Sequence, residues 1–445
     1  MNTVITALSR YALPFFMAFY AFNSFAAAGV RPDERKGFYI MQNIFMVLIH
    51  VLGYFVLSLE KDNMQLMVLC ALQEILFFAV ILIYRLVYKR AVLLVTNNMC
   101  LFLAVSFVIL TRLSPEKAVK QFFIVAVSLV LTSLIPLFTK RLKLLKRYAL
   151  IPGIAGAVVL FIVFIAGAVT FGSKISYTIF GITFQPSEFI KLSFILSMAG
   201  ILSPTDEEEE DEYFDYTRYT PELKNILISA AIAAVHVVIL VISRDLGAAL
   251  IFFIMYIAII FVSTHNPLYV GAGALAGSFG AVLGYKLFSH VRTRVIAWRD
   301  PYSVIDGQGY QIAQSLFAIG TGSWFGMGLT KGSPNKIPVV EADFVFSAIG
   351  EEFGAIFGIC LILVCISTFL MFMNTAMRCS DIFFRLLTLG CAVNYGFQIL
   401  LNVGGATKFI PLTGVTLPLI SYGGSSMLVT LTMFALVQGV CLIKK

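Results

Sequence analysis

Apolar runs of about 20 residues alternate with short polar segments along almost the whole chain. A helix needs a stretch of about that length to cross the hydrocarbon core of a bilayer. Thirteen spans are expected, near residues 9–29, 38–58, 64–84, 93–111, 118–138, 148–170, 188–203, 224–242, 246–263, 268–289, 345–374, 383–402 and 415–442. A membrane β-barrel would instead show ten-residue segments of alternating polarity. The pattern predicts an all-α polytopic integral membrane protein.

Composition excludes the other classes. Of 445 residues, 59% are hydrophobic and 13% charged, and the mean hydropathy is +0.92. A soluble chain is about 45–50% apolar and about 25% charged. The excess cannot be hidden in one core, and so greasy a chain is not disordered.

The net charge of +8 hides a split. Eight of the 24 acidic residues lie in 206–215, DEEEEDEYFD, and without them the balance is 32 basic against 16 acidic. Basic membrane proteins usually reflect cytoplasmic loop charge and anionic lipid, so no nucleic acid is implied. The KRLKLLKR run from Lys140 to Arg147 is placed in the cytoplasm. Arg31, Arg35, Lys36, Arg85, Lys89, Arg90, Arg378, Arg385, Lys444 and Lys445 then fall inside as well. About 17 basic residues face inside and about 9 outside, the 290–344 loop excluded. The N-terminus is expected outside and the C-terminus inside, with loops 171–187 and 290–344 outside. Arg10, the apolar stretch after it and Ala26 to Ala28 also resemble a cleavable signal peptide. Cleavage would export RPDERK against the charge rule, so a retained span is expected. The acidic cytoplasmic loop 204–223 reads as a solvated linker, a docking site for a basic partner being the alternative.

Seven cysteines without a CxxC and four scattered histidines suggest neither disulfides nor a zinc site. The informative residues are polar groups and irregular backbone at membrane depth, both costly outside a protein-walled cavity. In QPSEFIKL (185–192), Glu188 and Lys191 share a helix face and can pair. SRDLGAAL (243–250) puts Arg244 and Asp245 in a turn between two spans. The loop 290–344 holds both tryptophans, five basic residues, and GYQIAQSLFAIG (309–320) with helical spacing. Loops this long are usually functional or disordered. Glu341 and Asp343 stand directly before an apolar run, where desolvation raises a carboxylate toward general-base strength. Glu351 and Glu352 lie deeper in the same helix, functional or paired by default. Prolines 411 and 418 and five glycines break the helical pattern over 402–428. Each of these places also has a plain structural reading: a capped helix start, a hydrated turn, a kinked helix.

Taken in order across residues 93–442, QPSEF with Lys191, DLGAAL, GYQ with QS, ADFVFSAIGEEFG and LPLISYGGSS resemble the SEDS family, the FtsW/RodA/SpoVE-like proteins. The resemblance implies a ten-helix core over 93–445 with three additional transmembrane helices in 1–92. It further implies a peptidoglycan glycan-strand polymerase using lipid II at the outer face of the bacterial cytoplasmic membrane. The family pattern PExxTDFIF matches Pro338-Val339-Val340-Glu341-Ala342-Asp343, which makes Asp343 the catalytic aspartate. The match departs at Val339, Glu341 and Ala342. Tyr177 is offered as a substitute for an aromatic that the family carries before QPSE.

In the implied reaction Asp343 takes the proton of the acceptor 4-hydroxyl, and undecaprenyl pyrophosphate leaves. Lys191, Arg292, Arg294 and Lys336 are candidate cations for the substrate, and Glu188 and Asp245 orient them. A divalent cation such as Mg²⁺ is compatible with this chemistry, but the sequence offers no dedicated ligand set. Membrane lipid surrounds the helices, and a class B penicillin-binding protein is the implied partner. A flippase for lipid-linked precursors and a non-catalytic scaffold of a cell-wall synthesis complex are the alternatives.

Overall fold

The structure is a computed structural model that describes residues 2–31, 34–166, 168–170, 173–179, 182–205, 208 and 219–443. Most of the acidic run and the terminal Lys444 and Lys445 lie outside these residues, as does the side chain of Tyr177. Among the described residues, eleven helices are long and apolar enough to cross a membrane. The apolar helix over 150–165 and the helix Pro186–Ile201 are shorter. These elements correspond to the thirteen expected spans, and the chain is a multi-pass helical membrane protein.

The chain divides into two compact units. The first comprises residues 1–133, 296–370 and 399–423; the second comprises 134–295, 371–398 and 424–445.

In the first unit, α1 (Asn2–Gly29), α2 (Lys36–Glu60), α3 (Gln65–Leu86), α4 (Leu93–Leu113) and α5 (Pro115–Ser133) follow one another. Helix α4 is buried on every face from Leu94 to Thr111, as expected of a helix apolar all round. Its few polar side chains are tied off internally. Asn98 Oδ1 accepts from Tyr20 and Ser24, and Asn98 Nδ2 donates to Thr368 Oγ1 at 3.0 Å. Ser106 Oγ donates to the Ile420 carbonyl at 2.8 Å.

The second unit runs from a short helical turn (Ile135–Phe138) and a 3₁₀ segment (Thr139–Tyr148) into α6 (Leu150–Ala166). Three short antiparallel strands follow, β1 (Ala168–Thr170), β2 (Ser173–Ile179) and β3 (Ile182–Phe184), in the order β1-β2-β3. Then come α7 (Pro186–Ile201), α8 (Leu223–Ile242), α9 (Leu246–Thr264) and α10 (Pro267–Leu287). Helix α7 opens on Pro186, where a first-turn proline costs no hydrogen bond.

The region read as a long loop is partly helical. It contains α11 (Ser289–Arg299) and α12 (Tyr310–Gly322), the latter over the segment with helical spacing. Ser315 on α12 is fully buried; its hydroxyl lies 2.6 Å from Ser347 Oγ and donates to the Ala406 carbonyl at 2.6 Å. These bonds tie α12 to α13 (Val345–Arg378) and to the end of α14 (Ile382–Ala406).

Helix α13 breaks at Gly354, whose φ of +87° is open to glycine alone at low cost. The backbone freed by the break is recaptured by the segment before it. Met327 and Gly328 donate their N–H groups to the carbonyls of Glu351 and Glu352, at 2.8 and 3.0 Å. Ala355 and Ile356 donate in turn to Ser323 and Trp324, at 2.8 and 3.1 Å. A side chain at Gly326 would strike the Glu352 carbonyl at 2.2 Å. The glycines after GYQ and within IGEEFG therefore let two backbones meet where water cannot satisfy either.

The last helix, α15 (Gly424–Leu442), starts at Gly424 and not near 415 as expected. Residues 411–423 are non-helical apart from turns. Pro411 and Pro418 lack the N–H that a helix would use, and the freed groups of this stretch bond to α4, α5 and α14 instead.

Candidate active site

The first unit places Asp343 in the turn that leads into α13, half-buried. Its main chain is held from two sides. The Asp343 N–H donates to Val339 O at 3.3 Å, and Asn402 Nδ2 donates to Asp343 O at 3.0 Å. Asn402 Nδ2 also donates to Val415 O at 2.7 Å, which binds the non-helical segment to the same point. A Cβ on Gly414, where φ is +75°, would lie 3.6 Å from Asp343 Oδ2. The carboxylate thus faces a glycine that leaves room beside it.

The residues just before Asp343 are fixed by α5 and by the segment before α15. Lys117 Nζ pairs with Glu341 Oε1 and lies 5.7 Å from the centre of the Tyr422 ring. The Tyr422 N–H donates to Glu341 O at 2.8 Å, and Ser421 Oγ donates to Ala342 O. Gln121 Nε2 donates to Ser421 O at 3.1 Å. Glu341 and Ala342, two departures from the family pattern, therefore have defined partners. One is a cation 224 positions away in sequence, which sequence reading missed.

Glu351 and Glu352 are both engaged. Glu351 Oε1 accepts from Ser333 N–H at 2.7 Å. Glu352, whose side chain is 0% exposed, pairs with Arg112 Nε at 2.7 Å. Arg112 also donates to Gly332 O at 3.1 Å. Arg112 was not singled out from sequence; the available signal was a charge at the end of a deeply apolar span. Lys336 closes a 3₁₀ turn (Pro334–Lys336) and is exposed.

In the second unit, Lys191 on α7 is only 1% exposed. Its Nζ donates to Glu188 Oε1 at 2.8 Å and to Gln398 Oε1 at 3.2 Å. Glu188 Oε2 is buried with no hydrogen-bond partner among the described residues. Asp245 is the N-cap of α9, and its Oδ1 accepts from Ala248 N–H at 3.1 Å. Burial pushes the Asp245 carboxyl above its ordinary range. The Ala248 N–H opposes this, Glu188 adds to it, and Lys191 and Arg294 pull it back. Glu188, Lys191, Asp245 and Arg294 thus form one electrostatic neighbourhood. Arg292 is not part of it: it is exposed, donates to Lys286 O at 3.1 Å and lies over Tyr285.

The cap gives a test of this environment. Because its folded-state pKa is raised, Asp245 costs stability as pH rises through that pKa. Asp245→Asn keeps the acceptor for Ala248 and removes the charge. Thermal unfolding from about pH 4 to about pH 8 should show the wild type losing stability relative to this variant as pH rises. Asp245→Ala should cost about 1 kcal/mol through loss of the cap.

Comparison with known proteins places the chain. The family model FTSW_RODA_SPOVE, described as a cell cycle protein, matches residues 85–444. The chain belongs to the FtsW/RodA/SpoVE family.

Among curated members of the FtsW/RodA/SpoVE family, the peptidoglycan glycosyltransferase RodA of Mycobacterium tuberculosis is 33% identical over 310 residues. That alignment covers 68% of this chain and 66% of the relative, so the chain spans just under two thirds of the relative's length. Stage V sporulation protein E of Bacillus subtilis is 32% identical over 284 residues, covering 62% of this chain and 72% of the relative. Among solved structures, one titled for the coordination of polymerization and crosslinking by a peptidoglycan synthase complex aligns with a TM-score of 0.65 and 26% identity. It covers 79% of this chain and 97% of the other. The rod shape determining protein RodA of Thermus thermophilus aligns at 0.57 and 25%, covering 79% and 96%. Membership accounts for the order of the five motifs, and the fold of these relatives is the fold seen here.

Proposed function

We propose that this member of the FtsW/RodA/SpoVE family polymerises peptidoglycan glycan strands from lipid II at the outer face of the cytoplasmic membrane, with Asp343 as general base. The acceptor 4-hydroxyl attacks the anomeric carbon of the donor. Its proton passes to the Asp343 carboxylate, the new glycosidic bond forms, and the bond to undecaprenyl pyrophosphate breaks. An alcohol is a weak nucleophile, so a carboxylate within hydrogen-bond reach is the group this step requires.

The observation that carries the reading is the setting of Asp343. Its main chain is pinned by Asn402 and Val339, and its carboxylate faces Gly414. A fixed backbone beside a glycine suits a base that must meet a hydroxyl in one orientation. The relatives named peptidoglycan glycosyltransferases support the substrate class.

Lys191 and Arg294 are suited to phosphate oxygens, as are Arg292 and Lys336 with their exposed charges. Glu188 and Asp245 hold the first two in place. The unpartnered Glu188 Oε2 is an acceptor for a substrate hydroxyl or amide. We assign the N-terminus to the outside, the C-terminus to the cytoplasm, and residues 1–92 to an addition outside the ten-helix core. A class B penicillin-binding protein is the proposed partner, in keeping with the complex named among the structural neighbours.

Purified protein with labelled lipid II tests the reading. Polymer supports it. Translocation in liposomes without polymer identifies a transporter, and neither outcome leaves a scaffold. Gly414→Ala provides a finer test: a left-handed alanine costs about 1–2 kcal/mol, and the added methyl sits against the base. Turnover is expected to fall more than lipid II binding. Unchanged turnover would mean that Gly414 does not set the space around Asp343.

A further inference from the structure

A cavity in the first unit takes no part in the proposed chemistry. It lies among α2, α3 and the start of α4, and its volume is about 200 Å³. That is below the roughly 300–1,000 Å³ of pockets for drug-sized ligands, and it suits a single headgroup. Lys36 and Arg85 line it, together with Asn43, Asn97 and the apolar Ile81 and Leu93.

Its electrostatics are one-sided. Lys36 and Arg85 are exposed, and neither side chain has an ion-pair or hydrogen-bond partner among the described residues. Asn43 Oδ1 is buried without a hydrogen-bond partner, and an asparagine amide can turn to present its N–H₂ instead. Asn97, fully buried, donates to Gln42 Oε1 at 3.0 Å and fixes the wall. The flanking segments 31–36 and 85–90 carry six basic residues against two acidic ones. Helix α4 separates the cavity from Arg112 by nearly its whole length, about 30 Å for 21 residues. The cavity therefore sits at the opposite end of this unit from Asp343.

We propose that this cavity binds the phosphate-bearing headgroup of an anionic membrane lipid. Lys36 and Arg85 pair with the phosphate oxygens, and Asn43 donates to one of them. The first methylenes of the acyl chains lie on Ile81 and Leu93. The apolar lining is what favours a lipid over free phosphate, because an inorganic ion gains nothing from it. Basic pockets between transmembrane helices recognise lipid phosphates on these terms.

The test uses the full chain in detergent, mixed with phosphatidylglycerol or phosphatidylcholine and measured by native mass spectrometry. Preferential retention of one phosphatidylglycerol is expected. The variant Lys36→Gln with Arg85→Gln should lower its occupancy at least about tenfold. Lys89→Gln with Arg90→Gln, which removes charge at the same end but outside the cavity lining, should leave it unchanged. Asn43→Leu keeps both charges and should weaken retention several-fold, which isolates the cavity from bulk charge. Melting temperatures control for folding. Equal retention of the two lipids, equal loss in both charge variants, or displacement by millimolar inorganic phosphate alone would each overturn the proposal.

Discussion

Asp343→Asn is expected to lower the rate of glycan polymerisation by about 10²–10⁴-fold, the range that a positioned general base contributes. The amide is nearly isosteric with the carboxylate, and main-chain bonds at residue 343 hold this turn. Stability should therefore change little. The check pairs two measurements on one preparation, polymer formed from labelled lipid II and the thermal midpoint. Loss of polymer with an unchanged midpoint assigns the base to Asp343. Polymer at the wild-type rate removes Asp343 from the chemistry, whatever the midpoint does.

Arg112→Leu is expected to destabilise the protein by about 3–5 kcal/mol, the cost of stranding one partner of a buried ion pair. Glu352 is fully buried, and Arg112 is its ion-pair partner. The same arginine donates to Gly332 O, so its loss also removes a bond to the loop that follows the 323–328 segment. Replacing both partners by apolar residues removes the stranded charge. Arg112→Leu with Glu352→Leu should therefore recover much of the loss, as buried pairs replaced by packed hydrophobes commonly do. Thermal unfolding of the two single variants and the double one gives the coupling. If the losses simply add, the pair does not act as a unit.

The spans were legible because the bilayer sets one length and every backbone group must be satisfied within the helix. Residues 309–320 were legible as a helix in a polar loop for the same reason, through their spacing. Gly354 was legible only as part of a motif. Nothing in the linear sequence said that α13 breaks there, or that residues 323–328 would recapture its backbone. The start of the last helix was misplaced because apolar residues 415–420 continue the hydrophobic run while Pro418 and the glycines end the helix.

The site divides in the same way. Glu188 and Lys191 could be paired from sequence, since residues three apart on a helix share a face. The turn holding Asp245 was read from sequence, but its role as the N-cap of α9 was not. Lys117 with Glu341, Arg112 with Glu352 and Asn402 with Asp343 could not be paired from sequence. Each pair joins positions far apart in the chain, and only packing brings them within hydrogen-bond range.

The sequence by itself determined the class of protein, its spans, its family and the identity of the candidate base. Those follow from local rules: hydrophobic length, charge placement and motif order. The tertiary structure alone decided which cations meet which carboxylates, how a broken helix is mended, and where a cavity opens among the first four helices. Such contacts depend on how helices pack side by side, and one chain's linear pattern does not carry that information.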